Sequence, residues 1–155
     1  MQAVNPSFVA RVQEAFALQG AMRTLGASLQ EIEPGRIVIG MAHRPELTQQ
    51  HGFIHAGIIT AGLDNACGIA AFTLMPASTG ILTVEFKTNL LAPARGERFA
   101  FRATVVKPGR TLTVCEARAY AEHDGVETLI ATMSGTLMAL AAREGTAKER
   151  RPAPA

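Results

Sequence analysis

The spacing of hydrophobic residues changes along the chain, and each spacing predicts a different element. Residues 6–19 carry apolar side chains at helical intervals directly after Asn5-Pro6, a pair that is typical of a helix start. We therefore expect an N-terminal helix at about 6–19. Residues 27–32 and 36–42 have the composition of strands, and the Glu33-Pro34-Gly35 segment between them predicts a tight turn. Together these two segments predict a hairpin.

The segment from about residue 55 to 75 is hydrophobic on every side and ends at Pro76. A polar loop at residues 43–54 leads into it. Its length makes a membrane span one alternative. Against that alternative, the segment contains His55 and Asp64 and has no flanking basic anchors or aromatic belts. The pattern favours a long helix buried inside a globular protein.

Beyond this helix the hydrophobic period becomes two. Leu82, Val84 and Phe86 alternate with polar residues, which is strand spacing. Three more strands are expected at residues 99–107, 111–122 and 127–140, joined by turns at Pro108-Gly109 and Asp124-Gly125. The order of elements predicts an α+β domain over residues 1–142, with about six antiparallel, meandering strands around one central helix. Residues 143–155 are charged and then Pro/Ala-rich, which predicts a disordered tail.

The central helix also predicts a partner. A helix that is apolar all round needs cover on every side, and one curved sheet can wrap only part of it. Small residues allow close approach of a second helix, and we expect them to meet a second copy of the chain: Ala61, Gly62, Gly68 and Ala71. The hydrophobic surface of this helix alone therefore predicts a homodimer.

Composition narrows the class of protein. A hydrophobic fraction of 48% in 155 residues supports a real core in one domain. The formal charge is only +2 and no long basic block occurs, so nucleic acid is not an expected partner. Cys67 and Cys115 lack metal-ligand spacing, and no secretion signal precedes the domain. We expect a cytoplasmic protein without a bound metal, in which Cys67 is a core residue rather than a nucleophile.

Asp64 is the first candidate for chemistry. A carboxylate placed in an apolar helix loses hydration, which costs several kcal/mol unless the group is paired, hydrogen-bonded or near water. No Lys or Arg occurs between Arg44 and Lys87. One interpretation is a structural bond to Thr60 or to a distant arginine. The other, which we favour, is a catalytic group that faces a cleft.

The start of the same helix offers a second candidate. Free backbone N–H groups and the positive end of the helix dipole at His55-Ala56-Gly57 would suit a developing oxyanion. Asp64 lies eight residues after Ala56, which is ~12 Å along a helix axis. One small acyl group cannot touch both. Two antiparallel helices across a two-fold axis would bring the N-terminus of one chain to the acid of the other.

These residues carry a family resemblance. QQHGFIHAGIITAGLD at residues 49–64 and the later strand region resemble the hotdog-fold acyl-CoA thioesterases of the PaaI-like, phenylacetate-pathway type. The resemblance covers roughly residues 20–140. It implies an antiparallel sheet wrapped around the central helix, and hydrolysis of an acyl-CoA thioester. Coenzyme A would be part of the substrate, so no separate cofactor is expected. It also implies a homodimer with shared sites, or a dimer of dimers.

The resemblance assigns roles to individual residues. Gln49, where the family usually has Asn, would orient the thioester or the water. His55-Ala56-Gly57 falls on the family's His-Gly-Gly, with Ala56 in place of the first Gly, and its backbone N–H groups would still form the oxyanion hole. Asp64 would act as general base or nucleophile, and the Thr83 hydroxyl would support it.

Coenzyme A carries phosphates, so its groove should offer cations. Lys107 and Arg110 flank the Pro108-Gly109 turn and are the favoured pair, and Thr111 completes the Gly-Arg-Thr turn that the family shares. Arg95 and Arg98 are the other candidates.

The sequence leaves two alternatives open. A hydratase or dehydratase on the same fold would use His55 and Asp64 to move a proton and water across a double bond. A protein that binds acyl-CoA without catalysis is the second. The acyl group itself can be aryl, short-chain or medium-chain.

Overall fold

One six-stranded antiparallel sheet packs against a single long helix in the structure, a computed structural model that describes residues 1–141. The elements in chain order are α1 (Phe8–Ala17), α2 (Gly20–Leu25), β1 (Ser28–Glu33), β2 (Arg36–Ala42), a 3-10 turn (Pro45–Leu47), α3 (Ala56–Phe72), β3 (Gly80–Leu90), β4 (Arg98–Lys107), β5 (Leu112–His123) and β6 (Val126–Leu140). The predicted α+β architecture and the predicted hairpin are confirmed. The extent of the domain stays a prediction, and the predicted tail at 143–155 lies outside the described residues.

The strand order is β1-β2-β4-β5-β6-β3. The predicted meander is therefore right for β4, β5 and β6 and wrong for β3. Helix α3 carries the chain across the face of the sheet, so β3 enters beside β6 at the far edge instead of beside β2. Strand β3 consequently has one paired edge and one free edge.

A β-bulge interrupts β3 at Val84. Thr83 lies opposite Leu137, and Glu85 lies opposite Thr136, so Val84 is the extra residue. Because opposed residues share a face, Thr83 points with buried Leu137 toward α3 and Glu85 points away from it. Strict alternation would have placed Thr83 and Glu85 on one face. That expectation is wrong because the bulge resets the alternation.

The N-terminal helix is divided in two. Helix α1 ends at Ala17, α2 begins at Gly20, and Gln19 between them has extended backbone with φ −79° and ψ 105°. The predicted N-terminal helix is confirmed, and α1 begins two residues later and ends two residues earlier than the expected 6–19. The N-cap position is Ser7, whose N–H donates to the Asn5 side chain in a local turn. Among residues 1–141, no helix is sufficiently long and apolar to cross a membrane.

Helix α3 is shorter than the expected 55–75 and buries one broad face against the sheet. Leu63, Ala66 and Cys67 are fully buried there. A Cβ at Gly62 would lie 2.5 Å from the Phe101 ring, so this glycine permits close packing of helix and sheet. Gly62 and Ala71 are both buried within the protomer, which corrects their predicted place at a contact with a second copy.

The opposite side of α3 is left half-buried or exposed. We call it the open stripe, and it consists of Gly57, Thr60, Ala61, Asp64, Asn65, Gly68 and Phe72. These positions recur at intervals of three and four residues, so they follow one side of the helix.

Candidate active site

Asp64 and Thr83 form the centre of the site. The Thr83 hydroxyl donates to Asp64 Oδ1 at 2.8 Å. The bulge at Val84 makes this bond possible, because it leaves Thr83 on the face of β3 that meets α3. Within residues 1–141, Asp64 has no ion pair with an arginine and no hydrogen bond to Thr60. The carboxylate therefore keeps Oδ2 available for a ligand or water.

A cleft of about 200 Å³ surrounds this pair. Its lining residues come from three parts of the chain: Gln19, Asp64, Asn65, Gly68, Ile69, Ile81, Leu82 and Thr83. Asp64 is half-buried rather than sealed in hydrocarbon, so the acid can be reached from solvent. Asn65 Nδ2 donates to Gln19 Oε1 within the cleft. Sequence reasoning missed this amide pair because 46 positions separate its two residues.

His55 caps the N-terminus of α3. The Gly57 N–H donates to His55 Nδ1 at 2.9 Å, which requires an unprotonated Nδ1. Gly57, one of the two predicted oxyanion donors, is therefore already engaged in this structure. The Ala56 N–H donates to no group in residues 1–141. Ala56 thus offers the available backbone donor at this helix end.

An apolar cavity of about 390 Å³ adjoins Ala56. Gln49 also lines it, together with hydrophobic residues that include Phe53, Ile59 and Ile130. Gln49 Oε1 accepts from the His51 N–H. This bond fixes the orientation of the carboxamide, so Gln49 Nε2 remains as the free donor.

The acid and the amide donors lie in separate places within one protomer. The Asp64 cleft and the Ala56 cavity share no lining residue. Ala56 and Asp64 are eight residues apart on helix α3, which corresponds to ~12 Å along its axis. No small acyl group can contact both within a single chain.

The predicted phosphate-binding cations fall into two groups. Arg110 and Thr111 line a cavity of about 500 Å³ next to the C-terminal end of α3, and exposed Lys107 lies just before the same turn. Arg95 lines a different cleft of about 380 Å³ beside the loop that precedes α3. Arg98 pairs with Glu122 at 2.6 Å, which makes it a weaker candidate than Arg95.

Both cysteines are buried thiols of low reactivity. Burial raises the pKa of the Cys115 thiol to about 12, and burial also raises the pKa of the Cys67 thiol. Both groups therefore remain protonated thiols at neutral pH, and a protonated thiol is a poor nucleophile.

Comparisons with known proteins identify relatives of this sequence and of this fold. The family profile described as "Thioesterase superfamily" matches residues 51–128. A crystal structure of a thioesterase family protein from Silicibacter pomeroyi is 58% identical, covers 87% of this chain and 99% of its own, and superposes with a TM-score of 0.86. The PaaI protein of Escherichia coli, from the phenylacetic acid degradation operon, shares the fold with a TM-score of 0.77. Its identity is 14%, over 88% of this chain and 95% of its own. The medium/long-chain acyl-CoA thioesterase YigI of Escherichia coli K12 is 23% identical over 155 residues, which covers 85% of this chain and 98% of YigI.

Proposed function

Because this chain belongs to the thioesterase superfamily and is a thioester hydrolase with the hotdog fold, we propose that it hydrolyses acyl-coenzyme A thioesters to a free acid and coenzyme A. The observation that carries the proposal is the Thr83–Asp64 hydrogen bond on the open stripe of α3. It orients a carboxylate in a cleft, where such a group can act on water or on a carbonyl. The name of the relative YigI supports acyl-CoA as the substrate class.

Asp64 performs the central step. As a general base, it takes a proton from the water that attacks the thioester carbonyl, and as a nucleophile it attacks the carbonyl itself. Thr83 holds Oδ1 in either case, which leaves Oδ2 to react. In the general-base route, the tetrahedral intermediate collapses, the C–S bond breaks, and Asp64 returns the proton to the sulfur, so coenzyme A leaves as a thiol beside the free acid. In the nucleophilic route, C–S cleavage leaves an acyl–Asp64 anhydride, and a water molecule hydrolyses it to the free acid and supplies the proton that the coenzyme A thiolate takes up. This chemistry needs no metal and no resident cofactor.

The partner chain supplies the oxyanion donor in this proposal. Two α3 helices packed antiparallel along their open stripes would place Ala56 of one chain near Asp64 of the other. The Ala56 N–H would then donate to the developing oxyanion, and Gln49 Nε2 would orient the thioester. Each homodimer would hold two identical sites, and a dimer of dimers would be compatible with the same contact.

The surface of β3 supports this assembly. Leu82, Val84, Phe86 and Leu90 leave 55%, 53%, 44% and 57% of their surface exposed. Because of the bulge, Leu82 lies with Glu85 on the outer face, and Phe86 and Leu90 lie on the inner face. The edge strand therefore exposes apolar side chains on both faces, which is typical of an interface rather than of a solvated surface. The apolar area and the open stripe lie on adjacent elements, because Thr83 of β3 contacts Asp64 of α3.

Arg110, Thr111 and Lys107 are proposed to hold the phosphates of coenzyme A. Arg110 and Thr111 share a cavity large enough for part of a nucleotide, and a guanidinium can grip phosphate with two donors. Arg95 is the alternative cation, beside the loop that carries Gln49.

The direct test is thiol release from a panel of aryl, short-chain and medium-chain acyl-CoAs. We expect Asp64→Asn to lower kcat/KM at least ~100-fold, the scale of losing a general base. Thr83→Ala should cost less, because it removes only the support of the carboxylate. Asp124→Asn makes the same chemical change at an exposed carboxylate and serves as the control.

Three outcomes would contradict the proposal. Near-wild-type turnover by Asp64→Asn would remove Asp64 from the mechanism. Hydration of enoyl-CoA without thiol release would identify a hydratase. Tight acyl-CoA binding without any turnover would identify a binding protein.

A further inference from the structure

One arginine of the N-terminal helix contacts the connection between α3 and β3. Arg11 of α1 donates from Nη1 to the Met75 carbonyl oxygen at 3.0 Å and from Nη2 to the Thr79 carbonyl oxygen. Its guanidinium also stacks over the Phe72 ring, with its central carbon 3.7 Å from the ring centroid. Phe72 is the last residue of α3, and Thr79 directly precedes β3. A single side chain therefore connects the end of α3 to the start of β3.

This contact has a fixed geometry. A guanidinium is planar and presents its N–H donors in a rigid fork, and stacking on an aromatic ring fixes the plane of that fork. Arg11 is half-buried, so water competes less for its donors than at the surface. Within residues 1–141 it forms no ion pair with a carboxylate. The groups that Arg11 holds are therefore the two carbonyls and the ring.

The part of β3 that carries Thr83 has little other support. Only residues 80–83 lie between the start of β3 and the bulge at Val84, and they pair with one neighbour, the end of β6. Strand ends with few neighbours open more readily than the centre of a sheet. The bond from Arg11 to Thr79 consequently holds the outer end of the segment that presents the Thr83 hydroxyl.

The same arginine contacts the helix that carries Asp64. Asp64 lies eight residues before Phe72 on α3, and Thr83 lies four residues after Thr79. Arg11 contacts both Phe72 and Thr79, so it limits how far α3 and β3 can move apart. The hydrogen bond between the Thr83 hydroxyl and Asp64 is 2.8 Å long. Because such a bond weakens steeply with misalignment, a small shift between the two elements would weaken it.

We propose that Arg11 is a positioning residue for thioester hydrolysis, which connects α3 to β3 and thereby keeps the Thr83 hydroxyl bonded to Asp64. Arg11 lines neither the Asp64 cleft nor the Ala56 cavity, so it acts through Thr83 rather than on the substrate. The assignment rests on the proposed function, because it requires Asp64 to be the reactive group.

The test is the kcat of thiol release by Arg11→Met, which keeps an unbranched apolar stem and removes every donor. We expect kcat to fall by about threefold to tenfold, the scale of one hydrogen bond. Arg11→Lys retains the charge but not the fork, so it should recover part of the loss. Arg23→Met is the matched control, since Arg23 also donates to a backbone carbonyl, that of Ala17, but only within the two N-terminal helices. Its kcat should equal that of the wild type.

The substrate without its nucleotide gives a second control. Met75 and Thr79 also line the cavity that contains Arg110, so the loss of Arg11 could act on coenzyme A binding instead. Acyl-pantetheine thioesters lack the nucleotide. An equal fractional loss of kcat with acyl-CoA and with acyl-pantetheine is therefore expected if Arg11 acts through Thr83.

A double variant separates positioning from a general loss of stability. In the Thr83→Ala background the hydroxyl is absent, so Arg11→Met should lower kcat no further. Hydrogen exchange at residues 80–83 should be faster in Arg11→Met than in Arg23→Met. If Arg11→Met folds poorly, Arg11→Lys gives the same comparison in both backgrounds.

Wild-type kcat in the Arg11 variants, or an equal loss with and without the Thr83 hydroxyl, would overturn this inference and leave thioester hydrolysis intact. A loss confined to acyl-CoA and absent with acyl-pantetheine would overturn it as well. Absence of thiol release from every acyl-CoA with the wild-type protein would overturn the proposed function and this inference together.

Discussion

Ala56 occupies the position of α3 where a proline costs least. It is the first helical residue after the cap His55, so its N–H has no acceptor inside the helix. Proline is favoured at this position because its fixed φ suits the helix start. His55 has φ −61° and ψ 139°, a conformation that residues before proline prefer. The backbone can therefore accept a proline that removes one N–H and little else.

Ala56→Pro is expected to lower kcat/KM by roughly 10²–10³-fold, the usual loss on removing one oxyanion-hole donor. The thermal midpoint should change little, since the cap geometry already suits proline. Ala56→Gly retains the N–H and is the matched control, with near-wild-type kinetics. Normal turnover by a folded Ala56→Pro variant would show that the oxyanion is stabilised elsewhere.

Single residues differ in how far sequence alone identifies them. Asp64 is conspicuous because an acid in an apolar helix needs a physical reason. Thr83 depends on a bulge to reach that acid. Gln19 and Asn65 meet only through tertiary packing, so no local spacing links them.

At the level of elements, hydrophobic periodicity predicts which segments form the buried helix and the strands. It does not predict the bulge or the strand order, because these depend on long-range pairing. The two-residue period predicts the strands, and the apolar run predicts α3, because one sheet face and one helix must form the core. The apolar and polar residues of 82–87 alternate regularly, so the sequence pattern does not reveal the bulge at Val84. The position of β3 beside β6 follows from the path of α3 over the sheet, which strand patterns do not encode.

The packing of α3 on the sheet can be tested with two glycines of the same helix. A Cβ at Gly62 would meet the Phe101 ring, whereas a Cβ at Gly68 would meet no atom of the described chain within 4 Å. Gly62→Ala should lower the free energy of unfolding by about 1–3 kcal/mol through overpacking. Within one protomer, Gly68→Ala should raise it by roughly 0.5–1 kcal/mol through helix propensity, and a smaller gain in the dimer would indicate that the partner helix contacts Gly68. Urea unfolding of both variants provides the measurement, and equal effects at the two positions would contradict the close contact with Phe101.

At the level of the whole molecule, the proposed sharing of each site by two chains predicts complementation. Asp64→Asn and Ala56→Pro should each be nearly inactive alone. A heterodimer of the two variants would contain one site with an intact acid and the partner chain's intact N–H. Heterodimers isolated with two different affinity tags should therefore show about half of wild-type activity, since one of two sites is whole.

The control for complementation pairs Asp64→Asn with the double variant Asp64→Asn/Ala56→Pro, in which every site lacks the acid. No recovery of activity is expected there. If the heterodimer of Asp64→Asn and Ala56→Pro were also inactive, the acid and the donor would have to act within one chain.

The free edge of β3 has a consequence for biosynthesis. Eleven residues with an open row of backbone N–H and C=O groups, flanked by exposed Leu82 and Phe86, form a template for any other extended chain. A newly made chain is therefore exposed to aggregation until that edge is covered. In the proposed homodimer, a second copy covers this edge, so a variant that cannot dimerise should aggregate more readily than the wild type as its concentration rises.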